Sequence, residues 1–374
     1  MKPIQMVDLR SQFEHIRTEI LQGIQEVLDT SAFIKGPAVQ RFEQALARKL
    51  GGAYAVGVGN GTDALQIAFM AIGLKPGDEV ITSPFTFIAT AEAAALLGAK
   101  PVFVDIDPHT FNLDPTRIEA AITPRTRAIV PIHLFGQPAD MDPVLEIARQ
   151  HNLMVVEDNA QSIGATYRGR SAGYIGHLGT LSFFPSKNLG AYGDGGAVLT
   201  NDPDLYERAR MIANHGARKK YYHETVGVNS RLDTLQASIL EVKLRHLDAY
   251  TQARQVAADR YDALFAGEER IQTPYRKPDR THVFHQYTLR IRGLTPEKRT
   301  HLQTKLREKG IPTAVYYPVP LHQLPVFAHS TPPHPLPEAE RASQEVLSLP
   351  MHTELTPEQQ MYIAENLLDA LKTL

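Results

Sequence analysis

Apolar residues at the start of the chain recur every three or four positions. Phe13, Ile16, Ile20, Ile24 and Val27 would share one helix face, and Ser11 followed by Glu14 reads as a capping box. After this amphipathic helix come short apolar, β-rich runs that alternate with helical spacings: Tyr54–Val58 then Ala64–Ile72, and Glu79–Thr82 then Thr90–Leu97. The alternation continues with Pro101–Val104, Arg127–Ile132, a helix over about Asp140–His151, and Leu153–Val156. It predicts an α/β fold with a mostly parallel sheet covered on both faces. Leu181–Phe184 and Ala197–Thr200 add two strands, and Asp204–Ala213 a helix. The tract from about Leu232 to Phe265 lacks Pro and Gly and sets Leu232, Leu235, Ile239 and Val242 on one face, so it reads as a helix long enough to bridge two domains. Beyond it, Pro274, Pro278 and the stretch Pro318–Pro337 surround a strand-like Phe284–Ile291 and helices near Pro296–Lys309 and Pro357–Leu371. The expectation is a large domain over residues 1–248 and a smaller C-terminal α+β domain over 249–374.

Composition narrows the chemistry. The 374 residues contain no cysteine, which removes thiol nucleophiles, thiolate metal sites and disulfides together. Lys and Arg number 39 against 41 Asp and Glu, so no basic footprint points to nucleic acid. The first segment lacks the apolar run of a signal peptide and no stretch approaches 18 apolar residues, so the expected location is the cytoplasm with no membrane partner.

Three constellations remain. Gly57 to Asp63 follows a strand and opens a helix; its glycines allow a tight turn, and free N–H groups with the Thr62 hydroxyl would hold a phosphate. A dinucleotide fingerprint would want an acid at the end of the second strand, whereas Asp78 and Glu79 sit in the turn before it. The motif alone leaves phosphate binding and a plain structural turn both open. In the second, an apolar strand runs into Glu157 and Asp158 at its C-terminal end, where ligands bind in open α/β sheets. A carboxylate there suits a cationic ring nitrogen or a metal, but no His-Glu-x-x-His arrangement accompanies it; capping of the following turn is the preferred reading for Glu157. The third is Ser182 to Gly190, where a strand ends in a Pro turn and Lys187 stands among apolar and small neighbours. Desolvation would make such an amine nucleophilic toward carbonyls. His133 reads as a core histidine.

Together these are the parts a pyridoxal 5′-phosphate enzyme needs: a phosphate cradle, a flat side chain at Phe87 for the ring, a carboxylate for the ring nitrogen and an amine for the aldehyde. Their order is that of the aspartate-aminotransferase-like fold. The residues also resemble the DegT/DnrJ/EryC1/StrS family of sugar-nucleotide aminotransferases, through Phe33–Pro37, Gly59–Leu65, Phe85–Thr90, Glu157–Gln161, Ser182–Lys187 and Gly227–Asp233. The resemblance implies the fold type I architecture, Lys187 as the Schiff-base lysine and acid/base, Asp158 as the ring-nitrogen partner and Gln161 beside the phenolic oxygen. It further implies Phe87 stacked on the ring, with Gly61, Thr62 and Ser182 on the phosphate and Asn229 reaching that phosphate from the other subunit of a homodimer.

Glutamate as amino donor and a ketosugar nucleotide as acceptor follow from the same resemblance. Tyr221–Glu224, Asn229–Asp233 and Tyr316–His322 are most similar to enzymes that aminate a 3-keto sugar, notably UDP-2-acetamido-2-deoxy-3-oxo-glucuronate in O-antigen assembly. Arg231 is the residue to meet an acidic sugar, or else a helix-start or interface residue; Tyr317 is a further substrate candidate, and His322 either sits near the sugar or simply fills a Pro-rich loop. Many relatives carry His-Tyr-Pro where this chain has Tyr316, Tyr317 and Pro318. The alternatives are a dTDP-3-keto-6-deoxyhexose or 4-keto-sugar aminotransferase, a non-catalytic pyridoxal-phosphate-binding regulator, and a dehydrogenase using the glycine-rich loop.

Overall fold

A computed structural model describes residues 2–328, 330 and 332–373. Helix α1 (Leu9–Thr30) starts one turn before the expected point: the Asp8 carboxylate accepts from the Ser11 N–H at 2.9 Å, so Asp8 is the cap and the Ser11–Glu14 box does not form. Helix α2 (Pro37–Lys49), absent from the sequence reading, uses Pro at its first position and buries Phe42 and Leu46.

Seven strands make the main sheet: β1 (Tyr54–Val58), β2 (Glu79–Thr82), β3 (Lys100–Phe103), β4 (Thr126–Val130), β5 (Met154–Asp158), β6 (Leu178–Ser182) and β7 (Gly196–Thr200), in the order β1-β7-β6-β5-β4-β2-β3. All neighbouring pairs are parallel except those of β7, which runs against both β6 and β1. Alternation along the strands divides the core by face. Val80, Val130, Val156 and Val198 meet α3 (Gly61–Ala71), whose Leu65, Ala68 and Phe69 are buried. Their chain neighbours Ile81, Ile129 and Val155 turn to the opposite face, toward α5 (Met141–Gln150), and Leu199 joins Phe42 and Leu240. Each such fully buried side chain contributes about 1.5–3 kcal/mol. Helices α4 (Ala89–Leu96) and α6 (Pro203–Ile212) complete the cover.

The expected long helix is two, α7 (Thr234–Arg245) and α8 (Leu247–Leu264), broken at His246 although neither Gly nor Pro is present. The reason is tertiary: α7 packs on α1 and α2, whereas α8 feeds Ala257, Ala258 and Tyr261 into a second core. That core also takes Tyr287 and Leu289 of the antiparallel sheet β8 (Ile271–Gln272), β9 (Tyr287–Ile291) and β10 (Val346–Leu349), and residues of α9 (Pro296–Glu308) and α11 (Pro357–Leu371). Helix α10 (Pro337–Glu345) lies just before β10. Among the described residues no helix is long and apolar enough to cross a membrane.

Candidate active site

The parallel strands deliver their C-terminal ends to one edge of the sheet, and a cavity of ≈680 Å³ opens there. That size suits a cofactor with a small substrate. At one end lies the turn from β1 into α3. Asn60 caps the helix, its Oδ1 accepting from the Asp63 N–H at 2.8 Å, while its carbonyl takes the Ala64 N–H. Among the described residues the Gly61 and Thr62 N–H groups have no protein acceptor, which leaves an anion site on the helix N-terminus. A Cβ on Gly61 would lie 2.6 Å from Ser182 Cβ, so only glycine lets this turn approach β6. Gly196 does the same from β7: paired between Val58 and Ser182, it would drive a Cβ to 2.4 Å from the Asn60 carbonyl.

Asp158 stands at the end of β5, 6% exposed, with Oδ2 accepting from the Thr90 hydroxyl at 2.5 Å and Oδ1 from the Ala160 N–H at 3.1 Å. Glu157, one residue earlier, points to the other face. It is fully buried and accepts from the Gly173, Ile175 and Gly176 N–H groups and from His133 Nε2 at 2.8 Å. Its role is to fix the 173–176 loop rather than to cap the following turn, and His133 is the satisfied core histidine expected, its Nδ1 accepting from Ala139. Glu79 is buried at the start of β2, held by Thr123 and Arg125 at the edge away from the cavity, where no ribose could reach it.

Lys187 follows β6 through a turn in which its N–H donates to the Phe184 carbonyl at 2.8 Å. A Cβ on Gly190 would lie 2.2 Å from the Pro185 carbonyl, which is why glycine closes this loop. Burial brings the Lys187 amine down to about 8 even though the Asp158 carboxylate opposes the shift. Gln161 is oriented at both ends: its Oε1 accepts from the Phe135 N–H at 2.8 Å and its Nε2 donates to the Tyr317 hydroxyl at 3.1 Å. Phe87 and Phe184 line the cavity with 59% and 54% of their surfaces exposed, rings that a flat ligand would cover.

The fold therefore gathers Gly61, Thr62, Phe87, Asp158, Gln161, Ser182, Lys187 and Tyr317 around one cavity. His322 is not among them. It pairs with Glu340 on α10 at 3.0 Å. Asn229 and Arg231 are also outside that lining; their segment is held by the His215 N–H on the Val228 carbonyl and the Ser230 N–H on the Ala213 carbonyl, just after α6, and the Ser230 hydroxyl joins it to Gly59 and Asp63. Arg231 lines a separate cavity of ≈120 Å³ with Lys35, Glu43, Arg210 and Asn214. Thr90, His285 and Gln286 reach the site without having been singled out in the sequence; only Thr90, at the end of the Phe85–Thr90 motif, carried any signal.

These residues fit pyridoxal 5′-phosphate: a turn with free N–H groups whose glycines leave space beside it, and a carboxylate, an amine and uncovered rings lining the same cavity. Known proteins agree. A pleiotropic regulatory protein of Geobacillus stearothermophilus is 50% identical over 369 residues, 98% of each chain. The UDP-2-acetamido-2-deoxy-3-oxo-D-glucuronate aminotransferase of Pseudomonas aeruginosa is 48% identical over 349 residues, 93% of this chain and 95% of its own. Among solved structures, DesV from S. venezuelae in complex with a ketimine intermediate has a TM-score of 0.94 at 43% identity, covering 99% of this chain and 98% of that one. NtdA from Bacillus subtilis, with bound pyridoxamine phosphate as cofactor, has a TM-score of 0.89 at 35% identity, covering 98% and 83%. The DegT/DnrJ/EryC1/StrS aminotransferase profile matches residues 14–368, and the chain belongs to that family.

Proposed function

We propose that the protein transfers an amino group from glutamate to the 3-keto position of a UDP-linked N-acetyl hexuronate, for polysaccharide assembly. The single observation that carries the transaminase reading is the placement of a desolvated Lys187 amine in one cavity with the Asp158 carboxylate and the Gly61–Thr62–Ser182 cradle. The family's cofactor, pyridoxal 5′-phosphate, supplies an aldehyde and an electron-accepting ring when bound. Gly61, Thr62 and Ser182 bind its phosphate. Asp158, fixed by Thr90 and Ala160, holds a proton on the ring nitrogen. Gln161 orients the phenolic edge, and Phe87 covers one face and excludes water. Lys187 Nζ, lowered to about 8, exchanges a proton readily near neutral pH, which suits it to move the donor's α-proton.

The sugar identity is supported by the 48% identical relative and by the fork of Arg231, which matches a carboxylate. The reading includes a homodimer in which Asn229 and Arg231 serve the partner subunit's site; their absence from the lining of their own chain's cavity supports it. The test is a glutamate-dependent assay, read by mass, over 3-keto and 4-keto sugar nucleotides. The hexuronate should turn over best, and Arg231→Gln should reduce that preference about tenfold while sparing uncharged sugars. Preference for an uncharged 6-deoxy ketosugar sinks the hexuronate assignment. A second reading, a regulator that binds the cofactor without catalysis, draws on the 50% identical pleiotropic regulatory protein; cofactor binding with no amine transfer from glutamate to any ketosugar would favour it.

A further inference from the structure

The anion site at the start of α3 has an awkward neighbour. Asp63 directly follows Thr62, stands at the third position of the helix, and lines the same cavity as Gly61, Thr62 and Ser182. The free N–H groups one and two residues before it, and the positive end of the helix, attract a carboxylate as they attract a phosphate. A carboxylate turned to them would fill the site, and one left loose beside a bound phosphate would repel it.

The structure shows neither arrangement. The backbone of Asp63 is capped by Asn60, whose Oδ1 accepts its N–H at 2.8 Å, so only the side chain remains to be placed. It is folded back over Gly59, where a Cβ would lie 3.1 Å from Asp63 Oδ2 and 3.3 Å from Ser230 Oγ. There the Ser230 hydroxyl donates to Oδ2 at 2.6 Å and accepts from the Gly59 N–H at 2.9 Å. Among the described residues no other group donates to this carboxylate.

Ser230 is 2% exposed, and the backbone that carries it is itself held. The Val228 N–H donates to the Ile212 carbonyl at 2.8 Å, the His215 N–H to the Val228 carbonyl at 2.9 Å, and the Ser230 N–H to the Ala213 carbonyl at 3.1 Å. The hydroxyl is thus presented to the turn from a fixed point at the end of α6. We propose that Ser230 is a positioning residue for the phosphate cradle: it holds the Asp63 carboxylate away from the Gly61 and Thr62 N–H groups and so keeps the anion site open. Ser230 does not line the cavity and acts through Asp63 and Gly59. The inference rests on the reading of that turn as a phosphate site.

The experiment titrates the cofactor-free full chain with pyridoxal 5′-phosphate and, in parallel, with pyridoxal, which has the same ring and aldehyde but no phosphate. Absorbance reads both. In Ser230→Ala the carboxylate loses a charge-assisted hydrogen bond and competes for the helix start, so Kd for pyridoxal 5′-phosphate should rise about tenfold or more. Kd for pyridoxal should stay within about twofold of wild type. Asp63→Asn removes the competing charge, so the double variant Ser230→Ala/Asp63→Asn should bind pyridoxal 5′-phosphate as Asp63→Asn alone does. A merely structural loss at position 230 would persist in the double variant. A Ser230→Ala affinity equal to wild type, or a double variant as weak as Ser230→Ala, overturns the inference. Should Ser230→Ala not fold, Gly59→Ala crowds both Asp63 Oδ2 and Ser230 Oγ. It should weaken pyridoxal 5′-phosphate binding and be rescued by Asp63→Asn; undiminished affinity or a failed rescue overturns the inference. If the wild type binds pyridoxal as tightly as pyridoxal 5′-phosphate, the reading of the turn as a phosphate site fails instead.

Discussion

Thr90 offers a sharp test of how the carboxylate at the sheet edge is held. Its hydroxyl donates to Asp158 Oδ2 at 2.5 Å, and Oδ1 has the Ala160 N–H at 3.1 Å. Thr90→Val exchanges the hydroxyl for a methyl of similar size and removes one of these two bonds. A hydrogen bond to a charged group is worth about 1.5–3 kcal/mol. While the cavity is open, water takes the vacated place and hides most of that loss. Once a ring fills the cavity, water is excluded and the carboxylate must meet the ring nitrogen with one support fewer, so the penalty falls on the loaded state. Cofactor titration by absorbance should therefore show Kd rising roughly ten- to a hundredfold in Thr90→Val, while denaturation of the cofactor-free protein changes by less than about 1 kcal/mol. Thr90→Ser keeps the donor and should bind nearly as wild type. A Thr90→Val affinity within about twofold of wild type, or a Thr90→Ser protein as weak as Thr90→Val, would refute the reasoning.

Gly61→Ala forces a Cβ to 2.6 Å from Ser182, so the cradle must open; overpacking of this kind costs about 1–3 kcal/mol, and cofactor release on gel filtration should reveal it. Lys187→Ala should fold and should not be fixed to its cofactor by borohydride, and sustained turnover by that variant rules out its assigned role. His282 is held at about 3, chiefly by burial and secondarily by the Arg276 charge, against 6.5 when unfolded. The unfolded chain then binds the proton first on acidification, so this contribution is complete above about pH 6.5 and is lost toward pH 3, at up to about 1.4 kcal/mol per pH unit. His282→Asn, which preserves the acceptor that Nδ1 offers the Phe284 N–H, should flatten the acid limb of a melting series; an unchanged limb counts against the assignment.

The strands and the edge where they end were legible because each repeats apolar residues in short runs closed by turn chemistry, and because β5 and β6 stop at the polar residues that serve the site. Three things were not. Helix α2 lies behind Gly36 and Pro37, where the turn signal masks the helical spacing of Val39, Phe42 and Leu46. The break at His246 has no local cause, since it arises where packing on α1 and α2 gives way to a second core. His285 and Thr90 carried little signal alone: His285 lines the same cavity as Lys187, 98 positions earlier, and Thr90 holds Asp158, 68 positions later. For His322, which reads either as a sugar contact or as the filling of a Pro-rich loop, the structure gives a pairing with Glu340.

The reversed strand β7 also sets the order in which the molecule can be made. Strand β1 ends at Val58, yet among the described residues its only neighbour in the sheet begins at Gly196, so the first strand synthesised stays unpaired until 138 further residues have appeared. At about 5–20 residues per second that is a wait of roughly 7–30 s on the ribosome. The cradle waits with it, because Gly61 and Ser182 are brought together across Gly196. A nascent chain stopped short of β7 should therefore be unable to retain the cofactor, and added cofactor should stabilise only what forms after that strand has docked.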